Sequence, residues 1–225
     1  MDFTLIKYKL LLQSLLETGY NFQTFEQFLQ NPDSKVVILR HDVDLKARNS
    51  LETAKIENRL GIVGSYYFRI IPQSYNLEII QQIADLGHEI GYHYETMDSV
   101  NEKFRINNLK FRNDEERIDE AYKLFCEHLG EFRKRYPVRT ICMHGSPKSA
   151  FDNKDIWKKY DYKQLGIIGE PYFDIDFDKI FYLTDTGRCW NGYRFSVRDK
   201  MPQQERWIKE DRKSTRLNSS HDQIS

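Results

Sequence analysis

Three short stretches hold the side chains best able to do chemistry. They are Arg40-His41-Asp42-Val43-Asp44, Gly87-His88-Glu89-Ile90-Gly91-Tyr92-His93 and Met143-His144-Gly145-Ser146-Pro147. Each follows a short apolar run and precedes a helical or loop pattern. Where parallel strands alternate with helices, successive strand ends converge on one face of the sheet, and that face carries the reacting groups. Two carboxylates and two or three imidazoles gathered there are the raw material of a metal-dependent hydrolase.

Asp42 and Asp44 lie two residues apart, so an ideal strand turns both to the same face. Two neighbouring carboxylates repel unless a cation or a proton sits between them. The plainer reading makes Asp44 a helix cap and pairs Asp42 with a nearby arginine. His93 and His144 at equivalent strand ends favour the metal reading instead. His88 and His93 are separated by an odd offset and face opposite ways, and His93, nearer the strand's C-terminal end, is the expected ligand. His88 reads as a turn or structural residue, His41 as a residue that either supports the site from behind Asp42 or packs, and His128 as an unrelated mid-helix residue. After His144, the turn Gly145-Ser146-Pro147 can aim backbone amides at a developing oxyanion. His144 therefore counts both as a ligand and as part of the catalytic set.

The elements that must position these groups alternate. An amphipathic helix runs to about Gly19 and a shorter one covers about Phe22 to Leu29, before Asn31-Pro32-Asp33 breaks the chain. Val36-Val37-Ile38-Leu39 reads as a strand buried on both faces. Helix Leu51 to Leu60 is closed by Gly61, strand Ser65 to Ile70 follows, and Asn76 caps a helix that Gly87 stops. His88 to Tyr94 is the third strand, and a long polar stretch covers Asp98 to about Asn113. A long helix spans Asp114 to Tyr136, Arg139 to Met143 is the fourth strand, and a helical segment covers about Asn153 to Leu165. Ile180 to Leu183 and Gly192 to Val197 read as extended. This alternation predicts an α/β fold, an incomplete or distorted parallel β/α barrel with N-terminal helices.

Composition narrows the function classes. Lys plus Arg number 34 and Asp plus Glu 34, so there is no electrostatic footprint for nucleic acid or an anionic membrane. Cys126, Cys142 and Cys189 are odd in number and contain no C-x-x-C pair, which argues against a disulfide framework or a zinc finger. The N-terminal stripe Leu5, Tyr8, Leu11, Leu12, Leu15, Leu16 is broken by Lys7, Lys9, Gln13 and Glu17, unlike a signal peptide. No run approaches the ~18 apolar residues of a membrane span. The cytoplasm is the expected location. Residues 211–225 resemble the in-frame translation of a sequencing adapter. The expected organisation is therefore one α/β domain over residues 1–210, with the natural C-terminus missing and 211–225 outside the fold.

The three stretches also resemble the polysaccharide deacetylase family, carbohydrate esterases that remove N-acetyl groups from sugars. The similarity covers roughly Val36 to Asp199. His41-Asp42-Val43-Asp44 is similar to the family's first motif, which implies Asp42 as catalytic base and Asp44 as metal ligand. Gly87 to His93 is similar to the second motif, which implies His93 as ligand. The resemblance further implies a divalent metal, zinc by preference, and hydrolysis of a linear amide C–N bond in a carbohydrate substrate. Asp185, Arg188 and Trp190 lie where the family places an acid and a pocket-lining tryptophan. Tyr66, Tyr67, Tyr94 and Trp190 are candidates to stack on sugar faces.

Two departures bear on the site. The family's second histidine falls on Met97, a poor zinc ligand, which leaves Glu95 or His144 to complete a three-residue site, with His144 preferred. The family's final motif carries a histidine acting as general acid, and it would lie beyond Glu210. The expected activity is a metal-dependent deacetylase. The alternative is a carbohydrate-binding relative that has lost the chemistry, with Met97 as its support.

Overall fold

Gly61 and Gly87 each follow a helix in a left-handed conformation, at φ 72° and 88°, and turn the chain toward its next strand. This punctuation organises the computed structural model, which describes residues 3–145, 149 and 151–185. Residues 4–174 group as one unit. Its order is α1 (Leu5–Glu17), β1 (Asn21–Gln23), α2 (Phe25–Gln30), β2 (Val36–Ile38), β3 (Arg40–Val43), α3 (Ala47–Arg59), β4 (Ser65–Phe68), α4 (Leu77–Asp85), β5 (Glu89–Tyr94), α5 (Thr96–Ile106), α6 (Asp114–Arg133), β6 (Ile141–Met143) and α7 (Pro171–Asp174). Two 3-10 segments, Asn153–Lys158 and Tyr162–Leu165, precede α7. Residues 1–3 and 175–225 group as a second unit. In its described part, Lys179 pairs with Asp176 at 2.8 Å, and Phe177 meets Tyr182 edge to face.

β1 and β2 pair as a two-stranded parallel sheet, and β3-β4-β5-β6 form a four-stranded parallel sheet in that order. A bridge from Thr140 to Gly169 extends the second sheet beyond β6. The result is an α/β fold whose parallel sheet curls into a half-barrel, a partial and distorted β/α barrel.

Strand alternation divides the four-stranded sheet into two chemically different faces. Val43, Tyr66, Phe68, Ile90, Tyr92, Tyr94, Ile141 and Met143 pack in one core cluster with residues of α3, α4, α5 and α6. The opposite, concave face carries Arg40, Asp42, Ser65, Tyr67, Glu89, Gly91, His93, Thr140 and Cys142. It is polar. The curl is visible in Tyr67, whose hydroxyl reaches over β5 to Thr140 Oγ1 at 2.9 Å. Gly91 makes room for that ring, since a Cβ there would stand 2.3 Å from two of its carbons.

α2 packs at the N-terminal end of these strands. The amide of Phe25 donates to Ser65 Oγ at 2.8 Å and that of Glu26 to Glu89 Oε2 at 3.1 Å. Gly169 permits the contact, because a Cβ there would lie 2.1 Å from Leu29 Cδ1.

The structure corrects five element assignments. The helix expected over Phe22 to Leu29 begins only at Phe25, because Thr24 and Gln27 form a capping box, and the preceding residues pair with β2 instead. Val36–Ile38 is half-buried rather than buried on both faces, and it pairs with β1. The strand that enters the main sheet is Arg40–Val43, so Asp42 lies within a strand rather than beyond its end. Part of the polar stretch after Asp98 is α5, which buries only Thr96, Met97 and Val100, too narrow a stripe to register as a helical period. Ile180 to Leu183 forms no strand, and Gly192 to Val197 lies outside the described residues. No helix among the described residues is long and apolar enough to cross a membrane.

Candidate metal centre

Each candidate ligand lies in a strand or directly after one. Asp44 is the residue after β3, His93 is the fifth residue of β5, and His144 is the residue after β6. His93 sits opposite Cys142 in the β5–β6 register. The His144 amide continues the ladder by donating to the Tyr94 carbonyl at 2.8 Å.

The three side chains meet. His144 Nδ1 lies 3.0 Å from Asp44 Oδ1, His93 Nε2 lies 3.5 Å from the same oxygen, and the two ring nitrogens are 3.2 Å apart. Four-coordinate zinc, with ligand atoms about 2.0–2.1 Å away, sets neighbouring ligand atoms roughly 3.3 Å apart. The observed triangle has that size.

A second observation supports the fit. Asp44 Oδ1 is shielded from solvent and receives no well-directed hydrogen bond, although both imidazoles are close. A buried carboxylate oxygen without a donor is unfavourable unless a cation takes that place. Burial opposes ionisation of Asp44, but the His144 and His93 rings outweigh it and hold the carboxyl well below its ordinary range. Burial likewise disfavours a charged His93, yet Asp42 and Asp44 outweigh it and raise its pKa. The pocket favours positive charge among these groups.

Surrounding contacts orient the ligands. His93 Nδ1 is 3.0 Å from the Cys142 carbonyl oxygen, which can only accept. Nδ1 therefore carries the proton, and in the neutral ring Nε2 keeps its lone pair toward Asp44 and His144. The His144 carbonyl accepts from Asn153 Nδ2 at 2.9 Å, and Asn153 is fully buried. The same side chain binds Asp98 Oδ2 at 2.9 Å and accepts from the Met97 amide at 3.0 Å. Asn153 thus locks the start of α5 to the end of β6.

No protein-family model, curated protein or solved structure matches this chain.

The other expected site residues separate clearly. Asp42 lies on the concave face beside the triad, with Oδ2 3.2 Å from Arg40 Nη2, so the arginine pairing also holds. Asp44 does not cap α3, whose N-cap is Lys46. Glu95 makes a two-pronged pair with Arg69, at 3.0 and 2.5 Å, which removes it as a third ligand. Arg69 Nη1 also stands 3.8 Å from Asp44 Oδ1. Met97 is buried in the core.

The tyrosines are a correction. Tyr66, Tyr67 and Tyr94 are all fully buried, so none offers a face to a sugar. Tyr66 bonds Glu57 at 2.8 Å and Tyr94 accepts from Trp157 Nε1 at 2.9 Å. Asp185 is exposed and belongs to the second unit. Arg188, Trp190 and the Ser146-Pro147 part of the proposed oxyanion turn lie outside the described residues.

The remaining described histidines serve packing. His41 faces away from Asp42, stacks on Tyr66 at 4.3 Å and lies 2.7 Å from Glu57. His88 accepts from the Gly64 amide and its other ring nitrogen is 3.0 Å from the Ala54 carbonyl, so both positions are satisfied. His128 bonds Tyr92 in the helical layer.

Four neighbours of the site were not singled out from sequence. Arg40 stands two residues before Asp42 and Cys142 two residues before His144, each on the same face as its partner, and that spacing was the available signal. Asn153 and Glu170 carried none. Glu170 is fully buried and accepts from the amides of Met143 at 3.0 Å and Tyr172 at 2.6 Å. Burial pushes its pKa up to about 7, against those two bonds and the nearby Arg40 charge.

Proposed function

We propose that this chain is a metal-dependent hydrolase that removes an N-acyl group from a sugar or saccharide precursor, on a fold of the polysaccharide deacetylase type. The observation that carries the reading is the triangle of Asp44 Oδ1, His93 Nε2 and His144 Nδ1, spaced at 3.0, 3.2 and 3.5 Å beside a further carboxylate. Two imidazoles and one carboxylate make a three-ligand set of the catalytic kind, which leaves a coordination position open.

When bound, a zinc ion supplies Lewis-acid polarisation of an amide carbonyl and acidification of water. The chain's own residues have distinct tasks. Asp44, His93 and His144 hold the ion. Asp42 is the proton acceptor, since it lies on the same face and is 28% exposed. Arg40 orients its carboxylate from the same strand, one pleat earlier. Asn153 keeps His144 in place through its carbonyl. Met97, which favoured a binding-only relative, belongs to the core and leaves the ligand triangle untouched.

Calorimetry of zinc binding on the full chain, followed by turnover on N-acetylated saccharides, tests the reading. Asp44→Ala is expected to lose metal and activity together. Asp42→Asn is expected to keep metal and lose activity by roughly 10²–10⁴-fold, the usual worth of a general base. Undiminished turnover in Asp42→Asn sinks its assignment as base, and folded protein that ignores zinc sinks the whole reading.

A further inference from the structure

Cys142 is fully buried on the concave face of β6, two residues before His144. Flat strands about 4.8 Å apart hold residues three strands away roughly 14 Å from one another. Asp42 on β3 and Cys142 on β6 are separated by just that many strands. The curl of the sheet cancels the distance: ligand atoms of Asp42, His93 and Cys142 all lie within 4.8 Å of one another. His93 belongs to this group and to the Asp44 triangle.

We infer that Asp42, His93 and Cys142 form a second cation position, selective for thiophilic ions such as Cd²⁺, that competes with the Asp44–His93–His144 position for the shared imidazole. The donor chemistry differs in one atom type. The first set offers two nitrogens and an oxygen, whereas this one offers oxygen, nitrogen and sulfur, and sulfur selects soft cations. Arg40 Nη2 stands 3.2 Å from Asp42 Oδ2, so an entering ion shares that carboxylate with a guanidinium. That weakens the hold on hard cations and leaves the sulfur as the deciding ligand. On binding, the Cys142 S–H proton leaves to solvent and the thiolate takes the ion. No oxidation is involved. The position stands on its three residues; only the consequence that a soft ion removes Asp42 from catalysis rests on the deacetylase reading.

The test uses the full chain and Cd²⁺, read by the ultraviolet sulfur-to-cadmium charge-transfer band. The chain has three cysteines, so Cys126→Ser/Cys189→Ser leaves Cys142 as the single thiol. The band is expected at one equivalent in wild type and in that double variant. It is expected to persist in His144→Ala and to vanish in Cys142→Ser. Absence of the band in the double variant overturns the inference, as does its persistence in Cys142→Ser or its loss from folded His144→Ala. Zinc binding by Cys142→Ser, which keeps Asp44, His93 and His144, reports on the first position by itself. The two readings can therefore fail separately.

Discussion

His93 Nδ1 lies 3.0 Å from the carbonyl oxygen of Cys142, its neighbour across the β5–β6 ladder. One backbone oxygen thereby fixes which nitrogen of a buried imidazole faces Asp44 and His144. Metal-binding histidines use the same device to set their tautomer. His93→Ala and His144→Ala are each expected to weaken zinc by more than the roughly 10–100-fold loss seen when a supporting contact is removed. Calorimetry on each variant checks this, and unchanged affinity in either removes that residue from the ligand set.

Asn153 is the support for His144. Its side chain makes bonds to the His144 carbonyl, to Asp98 and to the Met97 amide, all in a fully buried position. Asn153→Ala should cost about 2–3 kcal/mol of stability by leaving buried polar groups unpaired. Zinc affinity should fall roughly 10–100-fold. Urea unfolding and calorimetry separate the effects, and full zinc affinity in the variant would show that His144 needs no such anchor.

Gly91 sets the curl. A methyl group there must displace the Tyr67 ring, 2.3 Å away, and with it the hydroxyl bond to Thr140. Gly91→Ala is expected to destabilise the fold by about 1–3 kcal/mol, the usual cost of overpacking. Combining it with Tyr67→Leu should cost less than the sum of the two single changes, because residues in contact do not add. Additive losses would refute the steric link.

Glu170 makes stability depend on pH. Its pKa is raised from 4.5 to about 7 by burial. Its contribution is fully present below about pH 4.5, where folded and unfolded chains both hold the proton. From there to about pH 7 only the folded chain holds it, so stability falls by about 1.4 kcal/mol per pH unit. Glu170→Gln, measured without metal by urea unfolding across that window, should lack this slope. A stability difference from wild type that stays constant with pH would count against it.

Local signals were legible where one residue type decides the outcome. Asn76 accepts from the amide of Ile79 at 3.0 Å, as the cap residue expected there does. The apolar runs at Ser65–Phe68 and Glu89–Tyr94 became buried parallel strands. α5 was missed because its buried stripe is only three residues wide, and β1 because three residues carry too little pattern to separate from the helix that follows.

The sequence by itself determined which side chains share a face. Two-residue spacing joins Asp42 to Arg40 and Cys142 to His144, and the odd offset sends His41 and His88 to the helical side. Which strand becomes whose neighbour was decided only by tertiary structure. Tyr94 ends a strand near the candidate ligands yet packs behind it, while Cys142, read in the sequence only as one of three unpaired cysteines, stands within 4.8 Å of Asp42. The physical reason is curvature. Alternation sets direction along one strand, but the distance between β3 and β6 depends on how far the sheet bends. That bend rests on contacts between residues far apart in the chain: Tyr67 on Thr140 over Gly91, and α2 beneath Ser65 and Glu89.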